Sequence, residues 1–177
     1  MKIGINAIFD SGPIIHLAEL GILFLVGIFN TLETTDVVID ETLKYISAED
    51  MNYLMNSAKI HIHEEKNKSE KLRALSKIYS LDFGEITALT VCCMKLEDNE
   101  LVFFSDDSAA RMASEALGIT SIGTIGIIIK SASIGKISKG KAIEIIESIN
   151  SGSTLYVKSS LVQTIVERLR NEWGIPE

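Results

Sequence analysis

Short apolar runs alternate along this chain with longer stretches in which apolar positions recur every three or four residues. Ile3 to Phe9 predicts a strand that stops at Asp10-Ser11-Gly12-Pro13, where glycine breaks the extended chain and proline suits a first helical turn. Ile14, Leu17, Ala18 and Gly21 continue at helical spacing. Asp36 to Ile39 predicts a second strand followed by a helix from about Asp40 to Asn56, and Lys59 to His63 predicts a third strand. The stripe Leu72, Leu75, Ile78, Tyr79 makes Ser69 to Tyr79 helical. Asp82, with Glu85 three residues on, opens a further helix in the manner of a capping box, and Ile86, Leu89, Thr90, Cys93 and Leu96 run down one face of it.

Leu101 to Phe104 is apolar without interruption, as expected of a parallel strand covered on both faces. It ends in Ser105-Asp106-Asp107-Ser108, and a helix through Arg111, Met112 and Leu117 closes at Gly118. Ile119 to Ile122 predicts a strand, Gly123-Thr124 a turn, and Ile125 to Ile134 an apolar helix stopped at Gly135. Two more helices follow. The first carries Ala142, Ile145, Ile146 and Ile149 with Gly152 as its C-cap, and the second starts near Ser160 and carries Leu161, Ile165, Leu169 and Trp173. Strands alternating with helices argue an α/β fold with a mostly parallel sheet. The expected organisation is one domain over residues 1–177, with 138–177 as appended C-terminal helices.

Composition narrows the class. With 177 residues, 46% hydrophobic and 23% charged, the chain has the apolar material for one well-buried core. The apolar stretch Leu20 to Phe29 falls well short of the roughly 20 residues that span a bilayer, so no membrane association is expected. Asp10 interrupts the first apolar run, which argues against an export signal and for the cytoplasm. Cys92 and Cys93 are adjacent and alone, a pattern that fits helix packing and neither a disulfide framework nor a zinc site.

The net charge of −7 argues against gripping nucleic acid by bulk positive charge. From Ala116 to Ile143, however, no acidic residue occurs while Lys130, Lys136, Lys139 and Lys141 do, which makes this segment either a phosphate-facing rim or a solvated helix end and loop.

Ligands of open α/β sheets sit off the carboxyl ends of the strands. Asp10 closes the first predicted strand, Asp106 and Asp107 close the apolar strand, and Glu85 lies in the first turn of the helix leading into it. Should the two strands be neighbours, three or four carboxylates share one crevice, and their mutual repulsion invites a hard divalent cation such as magnesium or manganese. Each acid also has a local reading: Asp10 or Asp107 as an N-cap, Glu85 as the acid of its own capping box.

Taken together, these segments resemble the PIN-domain family. The likeness rests on Phe9 to Leu17 (FDSGPIIHL), Leu81 to Leu89 (LDFGEITAL), Ser105 to Ala113 (SDDSAARMA) and Leu117 to Ala132 (LGITSIGTIGIIIKSA), in the family's order. The resemblance implies a three-layer α/β/α fold and a metal-dependent endoribonuclease of the VapC-like toxin branch, the toxin of a toxin–antitoxin pair. It implies Mg2+ (or Mn2+) held by Asp10, Glu85, Asp106 and Asp107 as the catalytic acids, an RNA substrate, a small antitoxin partner and self-association as a dimer. Ser11, Arg111 and Lys130 are the candidates for contacting substrate, with Lys136 beside them.

One position departs from the pattern. Related chains usually carry a glutamate in the helix after the second strand, often behind Pro-x-x-Val-x-x-Glu, whereas Tyr45 and Ile46 stand near the place expected here. Glu41 is the nearest substitute, about one turn early. A PIN-like fold without catalysis, acting as a binding or scaffold module, is therefore the rival reading. His61 and His63 share one side of a predicted strand, either as edge-strand histidines or as part of a zinc pair, and His16 reads as a helix-packing residue.

Overall fold

Leu101–Phe104 forms a strand whose four residues are all buried, and beside it lies the strand Asn6–Phe9, in which Ala7, Ile8 and Phe9 have no exposed surface. The computed structural model describes residues 4–56, 60–64, 70–97 and 101–176. In chain order the strands are β1 (Asn6–Phe9), β2 (Thr31–Thr35), β3 (Ile60–His63), β4 (Leu101–Phe104) and β5 (Ser121–Ile122). They form one sheet ordered β3-β2-β1-β4-β5 with every neighbouring pair parallel. The most apolar strands sit in its middle because only there are both faces covered.

The helices are α1 (Ser11–Glu19), α2 (Asp36–Thr42), α3 (Ala48–Asn56), α4 (Glu70–Tyr79), α5 (Phe83–Met94), α6 (Ser108–Ala116), α7 (Thr124–Ser133), α8 (Lys139–Glu147), α9 (Ile149–Gly152) and α10 (Ser159–Trp173), with a 3-10 turn over Leu23–Ile28. α4 packs on α5 and α6, while α1, the 3-10 turn and α7 pack on one another. With right-handed crossovers these two groups cover opposite faces, giving the three-layer α/β/α architecture that the resemblance implies. α8 then packs on α7, and α10 on α8. Beneath α7 the rings of Phe9 and Phe104, partners in register, stack at 4.8 Å, and Phe29 meets Phe104 at 4.7 Å. Cys92 is buried and Cys93 half-buried in α5, in keeping with a packing role.

The structure corrects one pair of elements. Asp36 to Ile39 is the start of α2 and not a strand, and the expected helix to Asn56 divides into α2 and α3. The β-branched run Val37-Val38-Ile39 suggests a strand, but Thr35 caps the helix by accepting a hydrogen bond from Val38 N at 3.3 Å, and Val38 and Ile39 enter the core. The true β2 was hidden by its polarity: Glu33 is 3% exposed, held by Lys95 Nζ at 2.6 Å from both oxygens and by His63 Nε2 at 2.7 Å. His61 is exposed on the edge strand β3. A smaller correction concerns Gly152, which closes the short helix α9 and does not cap a continuous helix from Ala142. Ile3, Lys59 and Ser69, where three elements were expected to begin, lie outside the described residues.

Candidate functional site

β1 leads through α1 to β2 on one side, while its other neighbour, β4, leads through α6 to β5, so the strand order reverses between β1 and β4. Crevices at such a point open at the carboxyl ends of the strands. Asp10 and Asp106 both stand there.

Asp10 follows β1 directly, and its N–H extends the pairing by donating to Phe104 O at 2.9 Å. Its carboxylate accepts from Ser11 N at 2.9 Å and from Ser105 Oγ at 2.8 Å. Burial pushes this acid up from 3.8 to about 7, with the charges of Asp82 and Glu41 adding to the rise and the two hydrogen bonds opposing it.

Asp106 is gripped from two helices. Thr124, the first residue of α7, donates its backbone N–H to Oδ1 at 2.7 Å and its hydroxyl to Oδ2 at 2.6 Å, and His16 Nδ1 on α1 lies 2.7 Å from Oδ2. A Cβ at Gly123 would stand 2.7 Å from Asp106 Oδ1, so only glycine lets the carboxylate come this close to the start of α7.

Glu85 completes the capping box expected for α5: its N–H donates to Asp82 Oδ1, and its Oε2 accepts from Asp82 N, both at 2.8 Å. Burial, followed by the charges of Asp82, Asp107 and Asp10, pushes it up from 4.5 to about 8. Glu41 reaches the same region from α2, with Oε2 2.9 Å from where a Cβ would stand on Gly84. Its apparent displacement by a turn disappears once α2 is seen to begin at Asp36. Thr35-Asp36-Val37-Val38-Ile39-Asp40-Glu41 then carries the Val-x-x-Glu spacing, with threonine in the proline's place.

The remaining candidates divide. Asp107 is exposed and caps α6, its Oδ1 accepting from Ala109 N at 2.7 Å and Ala110 N at 2.8 Å, while its charge still acts on Glu85. Ser11 is buried at the start of α1 and touches Asp10 through its backbone. Arg111 is exposed on α6, with Nη1 3.8 Å from the Cβ position of Gly123. Lys130 does not join them. It lies in the last turn of α7 beside an apolar cavity lined by Ile5, Phe29 and Ile129, in which none of the site acids takes part. The other lysines of the acid-free segment are spent locally: Lys136 over the Phe24 ring at 5.9 Å, Lys139 over Trp173 at 5.7 Å, and Lys141 on Glu144 at 3.1 Å.

Sequence reasoning missed four participants. Ser105 and Thr124 hold the two aspartates, His16 bridges to Asp106, and Asp82 adds its charge beside Asp10 and Glu85. The only advance signal was their place within the motifs, since nothing in a serine or threonine marks its partner far along the chain.

Among the described residues no lysine or arginine is ion-paired with Asp10, Glu41, Asp82, Glu85 or Asp107. Two buried carboxyls with raised proton affinity, Asp10 and Glu85, with further acids near them and no countercharge, fit a hard divalent cation. No group of three His, Cys, Asp or Glu side chains among the described residues stands in ligating geometry, so direct ligation by three of them requires carboxylates to turn. The sequence matches a family model described as a PIN domain over residues 6–171. No curated protein matches it.

Proposed function

The chain belongs to the PIN-domain family, a nuclease fold, and from that premise we propose that it is a magnesium-dependent endoribonuclease, with manganese as an alternative ion. One observation carries the reading: Asp10 and Asp106 close neighbouring parallel strands where the strand order reverses, and Glu41 and Glu85 are brought towards them on two helices. Asp10, Glu85 and Asp106, with Glu41 and Asp107 at the rim, would hold the cation. When bound, it supplies the positive charge that draws in a phosphate and lowers the pKa of a water.

The chain's own residues do the rest. Ser11 N–H and Ser105 Oγ fix Asp10, and Thr124 and His16 fix Asp106, so both carboxylates are oriented before substrate arrives. Without metal, burial makes Asp10 and Glu85 hold their protons up to about 7 and about 8, so loading the cation would release these protons and should strengthen as pH rises. Arg111, exposed at the lip, is placed to meet a flanking phosphate.

The test is hydrolysis of single-stranded RNA by the wild-type chain and by Asp106→Asn, in magnesium and in EDTA. Cleavage should need the metal and fall at least about a hundredfold in the variant. A folded Asp106→Asn protein that cleaves at the wild-type rate overturns the assignment.

We further read the chain as the cytoplasmic toxin of a toxin–antitoxin pair, a dimer neutralised by a small protein. Its expression in a host cell should arrest growth, and that of Asp106→Asn should not. The second reading, a PIN-like binding module without catalysis, draws on Glu85 and Asp107, which give carboxylate oxygens to helix caps. Under it magnesium leaves the melting temperature unchanged.

A further inference from the structure

A groove of about 660 Å³ begins at Asp106, Arg111 and Gly123 and runs away from the acids between the start of α7 and the segment that leads into α10. Its floor is apolar, with Ile122, Leu161 and Ile165 among the residues lining it. Its far lip is a strap over residues 153–158 whose chain is pinned twice. Thr154 donates its N–H and hydroxyl to the Glu19 carboxylate at 2.7 and 3.0 Å. Val157 is clasped by Asn150, whose side-chain amide donates to Val157 O at 2.7 Å and accepts from Val157 N at 2.8 Å. Along the strap, Leu155 and Val157 pack against the core while Tyr156 points out, 80% exposed. Lys158 follows, also exposed. Among the described residues neither Lys158 nor Arg111 has a carboxylate partner.

An aromatic ring held out on a clamped strap, two unspent cations and an apolar floor are the elements by which single strands are bound: a π-face for a base, positive groups for phosphates. In a chain of net charge −7, these cations stand on a groove that opens directly into the carboxylate crevice. We propose that this groove is the track for single-stranded RNA, with Tyr156 stacking on a base next to the cleaved linkage and Lys158 and Arg111 contacting the phosphates on either side. The track rests on the nuclease reading for its purpose and is tested apart from it. Lys136, Lys139 and Lys141, engaged locally, and Lys130, beside another cavity, are not part of it.

The experiment is fluorescence anisotropy of a labelled uridylate dodecamer with the full chain in EDTA, alongside cleavage in magnesium. Tyr156→Ala should weaken binding about tenfold and Tyr156→Phe should restore it. Lys158→Ala should weaken binding and lower the slope of log affinity against log salt by about one. Affinity unchanged in both Tyr156→Ala and Lys158→Ala overturns the track and leaves the groove to a protein partner, while metal-dependent cleavage in the same samples keeps the nuclease reading. Weakened binding without any cleavage supports the track and removes the nuclease reading. No binding by the wild-type chain overturns the track.

Discussion

His16 Nδ1 lies 2.7 Å from Asp106 Oδ2, so the helix that follows β1 holds a carboxylate that follows β4, 90 residues further on. Both side chains are mostly shielded, at 13% and 11% exposure. The contact ties the two halves of the sheet together at the point where their order reverses, and it leaves Asp106 with donors on both oxygens.

Removing the imidazole should therefore act on orientation more than on folding. For His16→Ala we expect a stability loss of about 1 kcal/mol and a fall of roughly tenfold in RNA cleavage, with His16→Asn recovering part of the rate. Thermal melts and single-turnover cleavage measure the two effects separately.

Gly123 has an ordinary backbone conformation, φ −93°, so alanine there brings steric conflict without backbone strain. Its Cβ would stand 2.7 Å from Asp106 Oδ1 and would push the carboxylate off Thr124. Gly123→Ala should lower cleavage about a hundredfold and cost about 1–2 kcal/mol, read from activity and urea denaturation.

Asp10 and Glu85 are protonated in the folded chain at pH values where the unfolded chain has already released those protons, because their folded values of about 7 and about 8 lie above 3.8 and 4.5. Their contribution to stability is fully present below about pH 4 and is lost as pH rises through 7 to 8. Without metal, the chain should therefore be more stable near pH 5.5 than near pH 8.5, by a few kcal/mol from these groups. Magnesium should narrow the difference by binding the ionised forms, and melting curves across pH with EDTA or magnesium test both statements.

Glu33 is 3% exposed, and although burial raises its proton affinity, the hydrogen bonds and charges of Lys95 and His63 outweigh that and hold it below the ordinary glutamate value. Lys95→Met would leave a buried carboxylate with only His63, at a cost of about 2–3 kcal/mol, since the lysine end is partly open to water. The double variant Lys95→Met, Glu33→Gln should recover part of that loss, and a double-mutant cycle in urea measures the coupling.

Much of the fold was legible in the sequence because it rests on local chemistry. The uninterrupted apolar run of β4, the glycine-proline break after β1, the capping box of α5 and the stops at Gly118 and Gly135 all act within a few residues of themselves. β2 escaped notice because its buried face carries Glu33, whose neutralising partners Lys95 and His63 lie far along the chain. That error moved α2 by a turn and made Glu41 look out of place. Of the candidate site, the strand-end aspartates and Glu85 could be named from strand-end and capping chemistry alone.

By itself, then, the sequence determined the alternation of strands and helices and which acids stand at strand and helix ends, since both follow from period and capping. The tertiary structure decided which strands are neighbours, and with that which acids stand at the ends of adjacent strands. It also decided that Ser105, Thr124 and His16 grip the aspartates, and that Lys130 lies elsewhere while Arg111 stands at the rim. The physical reason is range: hydrophobic period and helix capping act over a few residues, whereas burial, charge repulsion and side-chain hydrogen bonds depend on distances that exist only once the sheet has closed.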